Sequence, residues 1–300
     1  MKIFITGSNG LLGQKLVYLL KNNSEVQCIA TARGENRILD KDGYHFETLD
    51  LTNKEEVARL LNLHKPDCII HTAAMTNVDE CELKPSECYL NNVEATKNLL
   101  EGCNQFQPHF IYVSTDFVFD GTAGPYTEED SPNPLSVYAN SKLAAEQLVQ
   151  SSGLPYSILR TMIVYGITDD VQRSNIILWT KNSLMHEKDI RVINDQYRGP
   201  TLAEDLADAC FQAAKRKATG IFHVSGREVI SIIEIAYKVA DYFGLDRKFI
   251  HPVSTTELNQ PAKRPLKTGF IITKAERELG FNPRSIDEGI RIVDEQMNTK

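Results

Sequence analysis

Lys2-Ile-Phe-Ile-Thr6-Gly7-Ser-Asn-Gly10-Leu-Leu-Gly13 places a short apolar run directly before three glycines spaced three residues apart. Leucines then recur at the spacing of an amphipathic helix, at positions 12, 16, 19 and 20. Glycines let the backbone approach a diphosphate, and a helix N-terminus attracts its charge. The stretch therefore predicts a dinucleotide-binding β-α unit, with a plain tight turn as the alternative. The residues expected to line the site are Gly7, Asn9, Gly10, Leu11, Leu12 and Gly13.

Alternating apolar and amphipathic stretches follow this unit through the first half of the chain. Apolar, β-branched runs occupy residues 2–6, 26–31, 67–72, 110–114 and 156–160, and helical patterns separate them. Such alternation indicates β-α-β units and a parallel sheet. We therefore predict an α/β fold with a Rossmann-type doubly wound parallel sheet over residues 1–165.

The pattern loosens after about residue 166. A polar helical segment at 175–188 and a strand at 191–194 come first, and a helical pattern at 201–217 is expected to return to the sheet. Strand, helix and strand patterns then follow at 221–224, 230–243 and 249–252. We predict a smaller, discontinuous C-terminal α/β domain for substrate binding, formed by residues 166–200 and 218–300.

Charge and cysteine content limit the class of protein. The 300 residues include 33 Lys and Arg against 40 Asp and Glu, a net charge of −7, which argues against general nucleic-acid binding. The six cysteines form no C-x-x-C motif and are predicted to be free thiols. Met1 leads directly into the first apolar run, and no run approaches the roughly 18 residues of a membrane span. We therefore expect a cytoplasmic protein that binds neither nucleic acid nor membrane.

The end of the second predicted strand, Ala30-Thr-Ala-Arg33, distinguishes between two dinucleotides. An NAD enzyme usually carries an acidic residue here for the ribose hydroxyls, whereas an arginine suits the 2′-phosphate of NADP(H). NADP(H) is therefore the predicted cofactor, with a surface role for Arg33 as the alternative.

Two later strand ends are expected to contact the same cofactor. Asp50 and Leu51 follow a third short strand and are predicted to lie beside the adenine. The small residues Ala73 and Ala74 let the cofactor pass over the fourth strand. For the stretch that begins at Asp50, ordinary helix capping is an equal alternative, by Thr52 with Glu55 or by Asn53 with Glu56.

Ser114-Thr-Asp116 and Tyr138-Ala-Asn-Ser-Lys142 supply the candidate reactive groups. A phenol and an ammonium four residues apart share one helix face, so Lys142 is expected to lower the pKa of Tyr138. Thr115 ends a predicted strand, where open α/β sheets bind ligands. We predict hydride transfer to a carbonyl, with Tyr138 as the proton donor, Thr115 steadying the oxygen and Lys142 also holding the nicotinamide ribose. Taken singly, Thr115 is equally a cap and Lys142 part of a solvated face.

Longer strings make the chain resemble the extended short-chain dehydrogenase/reductases and, within them, the dTDP-4-dehydrorhamnose reductases. The resemblance covers nearly the whole chain and includes the glycine turn, Tyr138-Ala-Asn-Ser-Lys-Leu-Ala-Ala-Glu146 and Arg264-Pro265. The other strings are Pro66-Asp-Cys-Ile-Ile-His-Thr-Ala-Ala74 with Thr76-Asn-Val-Asp79, Ser114-Thr-Asp-Phe-Val-Phe-Asp-Gly121 and Ile193-Asn-Asp-Gln-Tyr-Arg-Gly-Pro-Thr201. The last two are far more specific than the glycine turn or Y-x-x-x-K, which the whole superfamily shares.

This resemblance implies NADPH-dependent reduction of the 4-keto group of a nucleotide-diphosphate sugar, most specifically dTDP-4-dehydrorhamnose. The catalytic and additional cofactor positions that it implies are Thr115, Tyr138, Lys142, Thr76 and Asn92, with Asn92 beneath the lysine. The implied substrate positions are Thr115, Asp116, Phe117, Asn175, Gln196 and Arg264. Arg264 would meet the diphosphate. The last three positions have an equal alternative as surface or loop-fixing polar groups.

Departures from the family pattern fall around the expected substrate pocket and the dimer contact. Ile163 stands where the family has tryptophan, so a stacking surface for the sugar is absent. Arg198 stands where the family often has glycine and is expected to add a cation near the pocket. Gln14 and Lys15 stand where the family's magnesium-bridged dimers use glutamate, so no metal is predicted. The substrate is therefore open to other nucleotide-linked keto sugars.

Two other functions fit parts of the same pattern. A nucleotide-sugar epimerase or dehydratase shares the fold and Y-x-x-x-K, but the second strand lacks an acid and Asp116 is followed by Phe117 rather than a second acid. The regulatory β subunit of methionine adenosyltransferase also resembles these reductases and binds NADP without catalysis. Oligomeric state is open, with a homodimer as one candidate.

Overall fold

The computed structural model describes residues 1–103, 105–170 and 175–298. Its strands are β1 Lys2–Thr6, β2 Gln27–Ala32, β3 His45–Thr48, β4 Cys68–His71, β5 His109–Thr115, β6 Tyr156–Thr161, β7 Val164–Tyr165, β8 Ile190–Ile193, β9 Tyr197–Arg198, β10 Thr201–Leu202, β11 Gly220–His223, β12 Ile230–Ser231 and β13 Ile250–Val253. Its α-helices are α1 Leu11–Leu20, α2 Lys54–His64, α3 Val78–Leu83, α4 Pro85–Tyr89, α5 Ala95–Gly102, α6 Val137–Ser151, α7 Ile176–Met185, α8 Ala203–Arg216, α9 Ile232–Phe243, α10 Thr255–Leu258, α11 Thr273–Leu279 and α12 Ile286–Asn298. A π-helical turn, Leu90–Glu94, joins α4 to α5.

Seven parallel strands form the central sheet, in the order β11-β6-β5-β4-β1-β2-β3. The strand order reverses between β1 and β4, which neighbour each other although two strands separate them in sequence. In open α/β sheets, ligands bind beyond the carboxyl ends of the strands at such a reversal. The predicted doubly wound parallel sheet is confirmed, and its topology places the ligand cleft above β1 and β4.

Helices cover both faces of this sheet. Leu16 of α1, Leu206 of α8 and Ala275 of α11 pack on one face, whereas Leu60 of α2 and Leu99 of α5 pack on the other. Because both faces are covered, the central strands are continuously apolar rather than alternating. This explains why apolar runs, and not period-two patterns, identified the strands.

The second half of the chain adds a smaller layer beside the sheet. Strands β8 and β13 pair in parallel, α7 and α9 pack against them, and α12 packs on α9. Helix α8 packs against α1, and β11 then joins β6 at the edge of the central sheet. The division at residues 165, 200 and 217 remains a prediction. Within the described ranges, no helix is long and apolar enough to span a bilayer.

A buried ion pair fixes α6 against the sheet. Arg160 of β6 donates to both carboxylate oxygens of Glu146 on α6, with Nη2 to Oε2 at 2.7 Å and Nε to Oε1 at 3.0 Å. Ser114 of β5 donates to the same carboxylate at 2.5 Å. Neither charged side chain is more than 2% exposed. One carboxylate therefore connects α6 to two neighbouring strands.

Replacing Glu146 with glutamine is expected to lower the free energy of unfolding by about 3 kcal/mol, because it leaves the buried Arg160 charge without a counter-charge. Urea unfolding at pH 7 measures the loss. Glu101→Gln, which removes an exposed ion pair with Lys54, is the matched control and should leave stability unchanged. Equal effects of the two substitutions would contradict the structural role of Glu146.

Candidate active site

A cleft of about 610 Å³ opens at the carboxyl edge of the sheet. It brings together most of the residues singled out in the sequence. Those that line it are Gly7, Asn9, Gly10, Leu11, Leu12, Gly13, Arg33, Asp50, Leu51, Ala73, Ala74, Thr76, Thr115, Asp116, Phe117, Tyr138 and Lys142. Four predicted residues do not line it: Asn92, Asn175, Gln196 and Arg264.

The glycine turn forms the floor of the cleft, and glycine is required there because no side chain would fit. Gly7 has a φ of +73°, and a Cβ on it would lie 2.8 Å from the backbone of Ala73. A Cβ on Gly13 would lie 2.3 Å from the Gly7 carbonyl oxygen. The turn thus packs tightly against both α1 and the end of β4, and it leaves the N-terminus of α1 open toward the cleft. Such a cradle fits the diphosphate of a dinucleotide.

Two arginines, Arg33 and Arg37, line the outer end of this cleft. Arg37 was not predicted, although it lies only four residues beyond Arg33. Asn9 holds the intervening loop in place, accepting a hydrogen bond from the Arg37 amide at 2.9 Å and donating to the Glu35 carbonyl at 2.8 Å. Both side chains are exposed, with Arg37 Nη1 3.4 Å from Asp170 Oδ2, and they lie at the position expected for a ribose 2′-phosphate, which guanidinium groups bind well.

The region after β3 resolves the capping alternatives. Asn53 accepts a hydrogen bond from the Glu56 amide at 3.1 Å and is the N-cap of α2. Asp50 accepts from the Thr52 amide and hydroxyl at 2.9 and 2.8 Å. Burial tends to raise the pKa of Asp50, but the Thr52 hydrogen bonds and nearby Arg33 outweigh it and hold the pKa below its usual value. Asp50 is thus a carboxylate that faces the cleft.

Thr115, Tyr138 and Lys142 meet at the opposite end of the cleft. Thr115 is the last residue of β5, and Ser136 caps α6 so that Tyr138 and Lys142 lie in its first two turns. All three side chains are buried. The Lys142 ammonium donates to the Val113 carbonyl at 2.8 Å and lies 4.1 Å from the centre of the Tyr112 ring. The strand and the helix therefore fix these groups against each other.

The electrostatics of Tyr138 differ from the prediction. Burial raises the pKa of Tyr138, and a hydrogen bond with Thr115 opposes the rise. Burial also lowers the pKa of Lys142 to about 7, against the opposite effect of Glu146. The prediction that Lys142 lowers the pKa of Tyr138 was wrong, because desolvation dominates both groups.

Asp116 forms a second buried ion pair, in the wall of the cleft. Arg198 Nε lies 3.0 Å from its Oδ2, and the Thr268 hydroxyl donates to the same oxygen at 2.5 Å. The Arg198 guanidinium also donates to the carbonyl oxygens of Tyr197, Leu266 and Pro265. Arg198 therefore lies beside the pocket as expected, but its charge is paired and buried rather than offered to a ligand.

The four predicted residues outside the cleft bond within the protein. Asn92, in the π-helical turn, accepts from the Met75 amide at 2.7 Å and donates to Ser141 at 2.9 Å, so it supports the loop after β4 and the helix carrying Lys142. The contacts of the other three match their loop-fixing alternative: Asn175 caps α7, Gln196 donates to Thr255 at 3.0 Å, and Arg264 pairs with Asp79 at 2.8 Å. Ligand contacts by these four residues remain predictions.

The segment after β6 also lines the cleft, through Thr161, Met162, Ile163 and Val164. Ile163 was singled out in the sequence as a departure from the family pattern. Its φ is +40°, an unusual conformation for a β-branched residue. The other residues could have been predicted to line the cleft because they lie at the end of a strand.

A family model described as the RmlD substrate binding domain matches residues 1–298. The chain belongs to this family. Among relatives in the RmlD family, a dTDP-4-dehydrorhamnose reductase of Aggregatibacter actinomycetemcomitans is 32% identical over 97% of this chain and 98% of its own length. The methionine adenosyltransferase 2 subunit beta of Rattus norvegicus is also 32% identical, over 95% of this chain and 84% of its own length.

A solved structure of dTDP-4-dehydrorhamnose reductase from Bacillus anthracis, in complex with NADP, is 29% identical, with a TM-score of 0.84. The similarity covers 98% of this chain and 99% of that one. These matches confirm the predicted family, the NADP-dependent oxidoreductase class and NADP(H) as its cofactor. The sugar nucleotide remains a prediction.

The depressed pKa of Lys142 predicts a specific pH dependence of stability. Between about pH 7 and 10.5 the unfolded chain binds a proton at this lysine that the folded chain does not. Stability therefore rises with pH through this window, by up to about 1.4 kcal/mol for each pH unit from this group. Below pH 7 both states are protonated and the slope disappears.

Urea unfolding of the wild type and Lys142→Met between pH 7 and 9 measures this difference, because other titrating groups cancel between the two proteins. Lys97→Met, which alters an exposed lysine of α5, should keep the wild-type slope. Parallel pH profiles for the wild type and Lys142→Met would show that Lys142 is charged in the folded protein.

Proposed function

We propose that this protein is an NADPH-dependent reductase of the 4-keto group of a nucleotide-diphosphate sugar, with dTDP-4-dehydrorhamnose as the first candidate. The observation that carries the proposal is the meeting of Thr115, Tyr138 and Lys142 at one end of a cleft whose floor is the glycine turn. A carbonyl placed above Tyr138 has a proton donor, a hydrogen-bond donor and room for a nicotinamide within one enclosed space.

The residues of the cleft fit NADPH along its length. The open N-terminus of α1 and the turn from Gly7 to Gly13 would hold the diphosphate, and Arg33 and Arg37 would hold the 2′-phosphate. Lys142 would contact the nicotinamide ribose. When bound, the cofactor supplies the hydride that reduces the carbonyl carbon.

Tyr138 would give its hydroxyl proton to the carbonyl oxygen as negative charge develops there. Its raised pKa keeps the phenol protonated at neutral pH, and a developing alkoxide is basic enough to take the proton. The Thr115 hydroxyl lies 3.2 Å from Asp116 Oδ1. It would turn its hydrogen bond from Asp116 to the substrate's carbonyl oxygen and stabilise the transition state. Burial of all three side chains limits their contact with water.

The state of Asp116 supports reduction over dehydration. A dehydratase uses acidic groups beside the threonine to move further protons. Here the Asp116 carboxylate is engaged by Arg198 and Thr268, and Phe117 follows it. Tyr138 is thus the one hydroxyl proton donor beside Thr115, and a ketone reduction consumes one proton.

A regulatory role is the second candidate, because the rat methionine adenosyltransferase subunit beta is as similar in sequence as the Aggregatibacter reductase. Such a protein would bind NADPH without oxidising it. NADPH oxidation, followed at 340 nm with 4-keto sugars linked to dTDP, GDP and UDP, separates the two roles. No oxidation with any of these sugars by a protein that binds NADPH would favour the regulatory role.

Tyr138→Phe should lower the rate of NADPH oxidation by at least about 100-fold, because it removes the proton donor. The dissociation constant for NADPH should stay within about twofold, since the ring still fills the same space. Fluorescence titration measures that constant. Tyr89→Phe, at an exposed tyrosine outside the cleft, is the control and should retain full activity. Near-normal turnover of Tyr138→Phe would remove Tyr138 from the mechanism.

The double variant Arg33→Ala and Arg37→Ala should raise KM for NADPH at least about tenfold, because each substitution removes a charge-assisted contact with the 2′-phosphate. KM for NADH, which lacks that phosphate, should change by less than about twofold. Arg59→Ala, at an exposed arginine of α2 outside the cleft, should change neither value. Equal losses for both cofactors would show that the arginines do not select NADPH.

A further inference from the structure

We propose that His45, Glu47 and His64 form a binding site for a divalent transition-metal ion of the zinc class. The site lies at the edge of the central sheet, away from the cleft that NADPH would occupy. Its ligands would be His45 Nε2, His64 Nε2 and a Glu47 carboxylate oxygen, with water in the fourth position.

The backbone places these three side chains together without help from a loop. His45 and Glu47 are two residues apart on β3, so both project from the same face of that strand. Strand β3 is the last strand of the sheet and pairs only with β2. His64 is the last residue of α2, and its ring lies beside His45 with ring centres 5.4 Å apart. A strand edge and a helix end therefore fix the ligand set.

The ligand atoms are spaced for a small ion. Glu47 Oε1 lies 2.9 Å from His45 Nε2 and 3.5 Å from His64 Nε2, and all three ligand atoms lie within 4.8 Å of one another. Tetrahedral zinc with bonds of about 2.0–2.2 Å holds its ligand atoms roughly 3.4 Å apart. Side-chain adjustments of about 1 Å or less would therefore close the site.

The inner ligand, His64, is mostly shielded from solvent, with its side chain 13% exposed. His64 Nε2 is shielded from solvent, and its contact with Glu47 Oε1 at 3.5 Å is too long for a well-formed hydrogen bond. A shielded polar atom with so weak a contact is costly, and a metal ion at the opening between His45 and Glu47 would satisfy it. The outer ligand, His45, is 54% exposed, which leaves a path for the ion and room for a bound water.

The donor set determines the class of ion. Two imidazoles and one carboxylate bind Zn²⁺ and its transition-metal neighbours, whereas Mg²⁺ and Ca²⁺ require oxygen ligands. The Lys2 ammonium donates to the His64 carbonyl and brings a positive charge close to the site. We therefore expect a dissociation constant in the micromolar range rather than the tighter binding of a closed structural site.

Few other groups in the chain compete for such an ion. All six cysteines are buried, and His71, His109 and His223 are buried as well. His251 pairs with Asp189 at 2.6 Å on the surface, but within the described residues no third ligand stands beside that pair. This two-residue pair provides a matched control for the three-residue site.

Isothermal titration of the full chain, without a histidine tag, with Zn²⁺ at pH 7.5 tests the proposal. One equivalent should bind, and the thermal midpoint should rise by about 2 °C or more at saturation. His64→Asn should weaken binding at least tenfold, His45→Asn should do the same, and His251→Asn should leave it unchanged. Mg²⁺ at the same concentration should not bind. Co²⁺ in place of Zn²⁺ should give visible absorption bands that His64→Asn removes.

The result is clear in either direction. Absence of Zn²⁺ binding at 100-fold excess over about 10 µM protein would overturn the proposal, as would binding that His45→Asn and His64→Asn leave unchanged. Loss of binding in His251→Asn would move the site to the other pair and would also overturn it. His45 is mostly exposed, so His45→Asn remains informative if His64→Asn fails to fold.

Discussion

The buried contact between Glu146 and Arg160 is the interaction on which the geometry of the cleft depends. Tyr138, Lys142 and Glu146 recur every four residues along α6, so they form one stripe that faces β5. Lys142 reaches the Val113 carbonyl and Glu146 reaches Ser114, one residue before Thr115. Arg160 holds the far end of this stripe from β6. Removing water from a carboxylate and a guanidinium is costly, and only full pairing compensates for it. The pairing therefore allows one helix position relative to the strand, and that position brings Tyr138 to Thr115.

A second buried pair, Asp116 with Arg198, performs the same task for the other wall of the cleft. Asp116 follows β5 directly, whereas Arg198 lies in β9 and donates to carbonyl oxygens at residues 197, 265 and 266. Strand β5 is thus connected to two distant segments of the second half of the chain. Each pair joins the end of β5 to a different part of the fold. Thr115 lies between them, held from both sides.

Local patterns predicted the elements of this fold better than they predicted its contacts. The bounds of β1 were predicted to the residue, because a covered parallel strand is a continuous apolar run. The choice between Thr52 and Asn53 as a cap was open in the sequence, since both have a glutamate three residues later. Arg37 was missed because its position depends on Asn9, 28 residues earlier. Gln196 and Arg264 illustrate the same limit, because their partners Thr255 and Asp79 lie 59 and 185 residues away in sequence. The wrong direction for the pKa of Tyr138 has a related cause, because four-residue spacing shows a nearby charge but not the desolvation that burial imposes.

The ionisable groups that line the cleft support ketone reduction more strongly than the fold does. Among the described residues, the ionisable groups that line it are Arg33, Arg37, Asp50, Asp116, Tyr138 and Lys142. Arginine does not lose its proton in proteins, and Asp50 lies at the adenine end with its pKa held low. Asp116 is engaged by Arg198 and Thr268. Tyr138 and Lys142 therefore remain, and only Tyr138 combines a hydroxyl proton with a position next to Thr115. A site with a single positioned donor suits a reaction that adds one hydride and one proton. Dehydration must also remove a proton from carbon and protonate a departing hydroxyl, and the Asp116 carboxyl that could share that work is held by Arg198 and Thr268.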